Sequence, residues 1–213
     1  MGIQTTLLAV VLLASMVGAN NARAGDARSS CPSATTGAFF FPPAMLDPDR
    51  GDLDDFRRQW YSLHLSTMGE PSLSCGAVTE PETYRFIWLR TFDRPIAVRV
   101  GSSERAVHLV AIELSGAGGY APGGVAKRIE RSLSRADWKA LVAVLRKSDF
   151  WTMPTQPTPR AVGFDGAQWI LEGRRRTEYH VVDRFSPGEG AYRDAGLTFL
   201  KLAGLLVAGE RLY

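Results

Sequence analysis

The alternation of apolar and polar positions divides the chain into helical stretches and a run of strands. Apolar residues recur at spacings of three and four in three segments, and short stretches rich in apolar and β-branched residues lie between them. The predicted helices cover about 54–68, a segment after Ser134 and a segment after Pro187. The predicted strands are 84–91, 95–100, 106–115, 127–133, 167–173 and 178–185.

This order of elements predicts an α+β fold. Helices and strands come in runs rather than in strict alternation, which favours antiparallel pairing of neighbouring strands over parallel crossover units. We therefore expect a single domain with three helices and a mostly antiparallel sheet of about five to six strands. No internal repeat or linker divides the sequence.

All three helices have apolar faces that can be assigned from spacing, and the face of the last one contains Tyr192, Ala195, Phe199, Leu202 and Leu206. In the first helix, Phe56, Trp60, Leu63 and Thr67 share one face, and His64 is expected to point outward near it. The second helix has Ser134 and Asp137 at its start, an arrangement that resembles a capping box. Its apolar face, predicted to be buried, contains Trp138, Leu141, Val142 and Leu145.

The N-terminal residues have the pattern of an export signal. An apolar run covers 7–19, which is too short to span a bilayer, and Ala22 and Ala24 supply the small residues that precede a cleavage site. The segment before the run has no Lys or Arg, and an uncleaved anchor is the alternative. We expect a signal peptide over 1–24, an irregular proline-containing segment over 25–52 and the α+β domain over 53–213.

Charge and cysteine content narrow the class of protein. Removal of 1–24, in which Arg23 is the only charged residue, lowers the net charge by one, from +3 to +2. This small net charge differs from that of nucleic-acid-binding proteins, which carry a strongly basic stripe. In an oxidising compartment Cys31 and Cys75 are expected to form a disulfide that closes a loop of about 45 residues and contributes roughly 4 kcal/mol. Two separate thiols are the alternative.

Several short stretches together resemble a group of uncharacterised exported bacterial proteins. The resemblance covers most of the chain after the signal and rests on segments 60–62, 69–73, 84–92, 118–120, 165–169 and 179–184. It implies a bacterial protein of the cell envelope, periplasmic or secreted. It implies no activity and no catalytic residues.

A glycine-rich loop over 115–124 is the first candidate binding segment. It formally matches a relaxed dinucleotide fingerprint, but Pro122 and two glycines follow where a helix should begin, so no cofactor is expected. One interpretation is a wide hairpin connection whose glycines adopt positive φ. The other is a recognition loop with Tyr120 at its tip and Ser115, Gly118 and Gly119 beside it.

The last predicted hairpin contains the other candidate residues. Alternation places Glu172 and Asp183 on one face and His180 on the other, and these three are weak candidates for acid–base catalysis. The turn carries Arg174, Arg175 and Arg176, which suit anionic polymers or lipids unless they form only a solvated turn.

No metal site is expected. The acidic run that begins at Asp47 lacks the ligand spacing of an EF-hand, and Asp52, Asp54 and Asp55 are better explained as the start of a helix. The three histidines are too far apart in sequence to form a zinc motif.

Together these features favour an exported envelope binding protein that does not span the membrane after cleavage. Its expected partner is another envelope protein, which it would meet as an inhibitor or immunity-type partner, or an anionic envelope polymer. The alternative is a periplasmic enzyme, a hydrolase that uses Glu172, Asp183 or His180.

Overall fold

A computed structural model describes residues 39–75, 80–159, 163 and 165–205. These residues form three helices and a six-stranded sheet, which confirms the predicted α+β single-domain class. The expected signal peptide lies outside the described residues. In chain order the elements are α1 (Gly51–Thr67), β1 (Glu82–Arg90), β2 (Ile96–Ser102), β3 (Val107–Leu114), β4 (Val125–Leu133), α2 (Arg135–Lys147), β5 (Ala167–Arg175), β6 (Glu178–Phe185) and α3 (Ala191–Ala203).

The sheet has the strand order β4-β3-β2-β1-β5-β6, and every neighbouring pair is antiparallel. Strand β1 is central, and its residues from Thr83 to Arg90 are all buried. Its partner β5 places Trp169 opposite Trp88 and Glu172 opposite Arg85. A long-range pairing therefore joins the two halves of the chain at the middle of the sheet.

Both faces of the sheet are covered, so the core has two parts. On one face α2 and α3 pack over Phe86 and Trp169 of the sheet, and Phe199 of α3 belongs to the same cluster. On the other face, α1 and the segment before it bury Phe40 and Tyr61 against the sheet. No helix in the described part of the chain is both long and apolar enough to cross a bilayer.

Helix α2 forms where its sequence predicts, with the predicted capping box, and its predicted apolar face is buried in part. The Ser134 hydroxyl accepts a hydrogen bond from the Asp137 backbone N–H, and the Asp137 carboxylate accepts one from the Ser134 N–H. Leu141 and Leu145 are buried in the core, and Trp138 is half-buried against it. The cap and the apolar spacing thus fix this helix locally.

Helix α1 forms as predicted, but its apolar face points outward. The side chains of Phe56 and Leu63 are 59% and 50% exposed, whereas His64 is buried, so the prediction that His64 points outward is wrong. The buried face instead carries Tyr61 and Leu65 together with polar residues that have partners in the segment before the helix. Arg58 donates to the Phe41 carbonyl at 3.0 Å, and Ser62 accepts from the Phe40 N–H at 2.9 Å.

Of the acidic residues at the start of α1, Asp54 holds the preceding loop. Arg50 is the N-cap residue and makes no capping hydrogen bond through its side chain. The Asp54 carboxylate accepts hydrogen bonds from the backbone N–H groups of Ala44, Leu46 and Asp47 at 2.8 to 3.0 Å. Since N–H groups without partners are costly in a buried loop, Asp54 stabilises residues 44–47 in their path across the sheet.

Candidate binding surface

An open groove of about 780 Å³ runs beside α1, and we call it the α1 groove. Its charged lining residues, Arg50 and Arg57, are both cationic. Among the described residues no carboxylate lines it. The lining consists of Arg50, Leu53, Phe56, Arg57, Gln59, Trp60, Leu63, Thr91, Gly119, Tyr120, Gly163, Gln168 and Phe185.

Large apolar side chains in and beside the α1 groove are exposed to solvent. Tyr120 is 63% exposed and Phe92 is 60% exposed, and their ring centroids lie 6.2 Å apart. With the exposed Phe56 and Leu63 of α1 they form what we call the aromatic patch. Scattered exposed apolar residues are ordinary, whereas a group of them around a groove is typical of an interaction site.

The glycine-rich loop is an ordered hairpin connection that presents Tyr120 at this surface. Backbone hydrogen bonds continue the β3–β4 ladder into it, from Ser115 N–H to the Gly124 carbonyl at 2.8 Å and from Gly116 N–H to the Pro122 carbonyl at 2.9 Å. The Ser115 hydroxyl also accepts from the Gly124 N–H at 3.0 Å. Tyr120 is therefore exposed on a loop whose path is fixed by its own hydrogen bonds.

Close approach, more than positive φ, explains the loop glycines other than Gly124. Among the loop glycines, Gly123 alone has a positive φ, of 71°. A Cβ atom on Gly118 would lie 2.6 Å from the backbone N and O atoms of Arg90, so only glycine fits there without a shift. The Gly118 carbonyl accepts a hydrogen bond from the Trp60 indole at 2.8 Å. The loop is thereby attached to both β1 and α1.

Glu172 lies in a buried ion-pair network on the face of the sheet that α1 covers. Arg85 donates to its Oε2 from Nε at 2.7 Å and from Nη2 at 2.5 Å, and the Tyr179 hydroxyl donates to its Oε1 at 2.8 Å. Arg85 also contacts Glu70, which accepts from Arg99 as well. Burial raises the pKa of Tyr179 well above its usual value, and the neighbouring Glu172 carboxylate raises it further. The network holds Glu172 away from solvent.

Asp183 belongs to a second buried network on the same face of the sheet. Its Oδ2 accepts hydrogen bonds from the Tyr61 hydroxyl at 2.8 Å and from Gln156 at 3.0 Å, and Arg57 lies 3.9 Å away. Burial raises the pKa of Asp183, while Arg57, Gln156 and Tyr61 act in the opposite direction. Asp183 thus connects β6 to α1 and to the loop before β5.

The three candidate catalytic residues do not meet in a cleft. Glu172 and Asp183 do share a face, as the alternation predicted, but each is 1% exposed and none of the described grooves includes either. His180 lies on the opposite face, where its Nε2–H donates to the Met153 carbonyl at 2.9 Å. Burial lowers the pKa of His180. A substrate would need access that this arrangement does not give.

The three turn arginines diverge rather than form one anion site. Arg174 donates to the carbonyls of Leu73 and Ser74 at 3.2 Å each. Arg175 lies over the Trp151 ring at 4.4 Å and pairs with Glu178. Arg176 adopts a positive φ of 53° at the turn. Two of the three side chains thus already have intramolecular partners.

The predicted disulfide is not tested by the structure. Cys75 is exposed at the end of the segment 39–75, and Cys31 lies outside the described residues. Among the residues that the structure describes, no three His, Cys, Asp or Glu side chains gather as metal ligands would.

In comparisons with known proteins, no family model matches this sequence and no curated protein matches it. Neither burial in the core nor hydrogen bonds within the chain account for the exposed apolar side chains of the α1 groove and the aromatic patch. Sequence reasoning identified Tyr120 but missed Phe56, Trp60 and Leu63 as surface residues. Their helical spacing is the same for a buried face and for a binding face.

Proposed function

We propose that this is an exported bacterial protein of the periplasm or the extracellular space that binds another protein and catalyses no reaction. In this role it acts as an inhibitor or immunity-type partner of another exported protein. The observation that carries the proposal is the aromatic patch beside the α1 groove. The export signal expected over 1–24 and the resemblance to exported bacterial proteins support the compartment.

The character of the patch favours a macromolecular partner. Binding hot spots are enriched in Trp, Tyr and Arg, and Trp60, Tyr120 and Arg50 all line the α1 groove. The exposed ring of Phe92 lies beside Tyr120 and extends the apolar surface past the groove lining. A small molecule held inside the groove would leave these rings in water, whereas a protein surface laid across them would cover them.

The placement of the acidic residues favours binding over catalysis. The hydrogen bonds of Glu172 to Arg85 and Tyr179, and those of Asp183 to Tyr61 and Gln156, are the pairings that buried carboxylates require for stability. Both residues therefore have a structural role that does not require a substrate.

A capture experiment with matched variants tests the proposal. The purified protein, Tyr120→Ala and Phe56→Ser are each used to capture proteins from the envelope fraction of cells that naturally produce the chain. Arg105→Ala is the control, because Arg105 is exposed at the opposite end of the sheet, in the β2–β3 turn. Melting temperatures are measured on the same preparations.

We expect one captured protein to bind the wild type and the Arg105 variant equally. Loss of a central aromatic anchor costs about 2 kcal/mol, so Tyr120→Ala should weaken that binding roughly thirtyfold. Its melting temperature should change by less than about 2 °C, because Tyr120 is mostly exposed. Equal capture by all four proteins would contradict the proposal.

A further inference from the structure

The α1 groove combines an apolar stripe with one exposed cationic side chain, that of Arg50. Leu53, Phe56, Trp60 and Leu63 follow one another along α1 at spacings of three and four, and Arg50 lies one turn before the first of them. The exposed acids near the start of α1, such as Asp52 and Asp55, do not line the groove. Its lining therefore attracts an anionic and apolar occupant.

We infer that the α1 groove binds an amphipathic acidic segment of a partner protein, with Arg50 pairing to a carboxylate of that segment. This inference rests on the proposed function and adds the chemistry of the partner. The stripe from Arg50 to Leu63 covers thirteen residue steps of 1.5 Å, about 20 Å in length. That length matches three to four turns of a bound helix or about six residues of a bound strand.

The two arginines of the groove differ in whether their charge is already paired within the protein. Arg57 lies largely buried, 3.5 Å from Asp47 and 3.9 Å from Asp183, so its charge is already balanced inside the protein. Arg50 is exposed and forms no ion pair with another described residue. An exposed guanidinium next to an apolar surface can form two parallel hydrogen bonds to one carboxylate, a bidentate pair. Arg50 is thus the group that selects an acidic partner.

An acidic protein segment suits the groove better than an anionic polymer does. A phosphate- or uronate-bearing polymer would satisfy Arg50 but has no aliphatic side chains to cover Leu63. A segment with leucine-like side chains on one side and a carboxylate nearby would cover the stripe and pair with the arginine at once. The aliphatic and aromatic surface would supply most of the binding energy, and the charge would supply selectivity.

A peptide selection tests this chemistry without knowledge of the natural partner. A display library of random 16-residue peptides is selected on the purified wild-type protein, on Arg50→Glu and on Leu63→Ser. The control is Arg105→Glu, which changes the charge by the same amount at the opposite end of the sheet. Affinities of the enriched peptides are then measured for all four proteins.

We expect peptides enriched in Asp and Glu next to apolar residues on the wild type and on the Arg105 variant. Arg50→Glu should weaken these peptides roughly tenfold and should select basic peptides in their place. Peptides that depend on Leu63 but show no acidic bias would overturn this inference and leave the proposed function intact. Failure to enrich any peptide that depends on Leu63 would overturn both.

Discussion

The Arg85 guanidinium donates two hydrogen bonds to one carboxylate oxygen of Glu172, across the β1–β5 pair at the middle of the sheet. Both side chains are fully buried. The desolvation of two charges is costly, and such a pair is tolerated where its remaining polar atoms also have partners. Here Glu70 and Tyr179 supply them.

Removal of Arg85 should therefore be strongly destabilising. Arg85→Leu leaves Glu172 and Glu70 buried without this cation, and we expect the free energy of unfolding to fall by about 3–5 kcal/mol. Urea denaturation followed by fluorescence measures it. Arg99→Leu is the control, because Arg99 is partly exposed and donates one hydrogen bond to Glu70, so its loss should cost less. A cost below about 1 kcal/mol for Arg85→Leu would contradict this role.

Gly118 should be intolerant of a side chain. A Cβ atom there would overlap the backbone of Arg90, so Gly118→Ala should lower the free energy of unfolding by about 1–3 kcal/mol. A Cβ atom on Gly124 meets nothing within 4 Å, so Gly124→Ala is a control in the same loop and should be neutral or slightly stabilising. Equal stability of the two variants would mean that the loop does not pack on β1 as described.

Asp183 should make the free energy of unfolding decrease as the pH rises, which is the opposite of the usual effect of a paired Asp. Burial raises its pKa in the folded state, so the folded protein holds this proton more tightly than the unfolded chain does. The contribution of Asp183 to the free energy of unfolding is therefore largest near and below the ordinary Asp pKa of about 3.9. It decreases as the pH rises through the raised pKa of the folded state.

The comparison with Asp183→Asn isolates this effect from other acids. Asn keeps an oxygen that can accept from Tyr61 and Gln156 but carries no charge. The wild-type free energy of unfolding minus that of the variant, measured in urea from pH 4 to pH 7, should decrease as the pH rises. An increase over the same range would show that the carboxylate is stabilised in its charged form.

Cys31 and Cys75 should be joined in exported material. Non-reducing peptide mapping by mass spectrometry should recover their two peptides as one species, and reduction should lower the free energy of unfolding by roughly 4 kcal/mol. Quantitative alkylation of both thiols in the native, unreduced protein would refute the disulfide.

Local patterns predicted much of the fold. The β6 bounds and the capping box of α2 follow from residues close together in the sequence, since caps and alternation are local properties. Alternation also placed Glu172 and Asp183 on one face. Their partners were not predictable, because Arg85 and Tyr61 lie 87 and 122 residues away along the chain.

The outward orientation of the apolar face of α1 was not predictable for a related reason. Spacing identifies a face but not what covers it. The segment 39–50 offers backbone partners to Arg58, Ser62 and Asp54, so the face that carries these polar residues, with Tyr61 and Leu65, became the buried one. The result is the exposed surface that includes Phe56 and Leu63, and it became evident only from the tertiary structure.

Site-specific photo-crosslinking in living cells tests the central claim most directly. A benzophenone amino acid replaces Leu63, Tyr120 or, as a control, Arg105 in the full chain, expressed in cells that naturally produce it. We expect Leu63 and Tyr120 to give an adduct with the same protein, position 105 to give none, and Phe56→Ser to abolish both adducts. No adduct at Leu63 and Tyr120, or the same adduct at position 105, would contradict the claim that the aromatic patch is the binding surface.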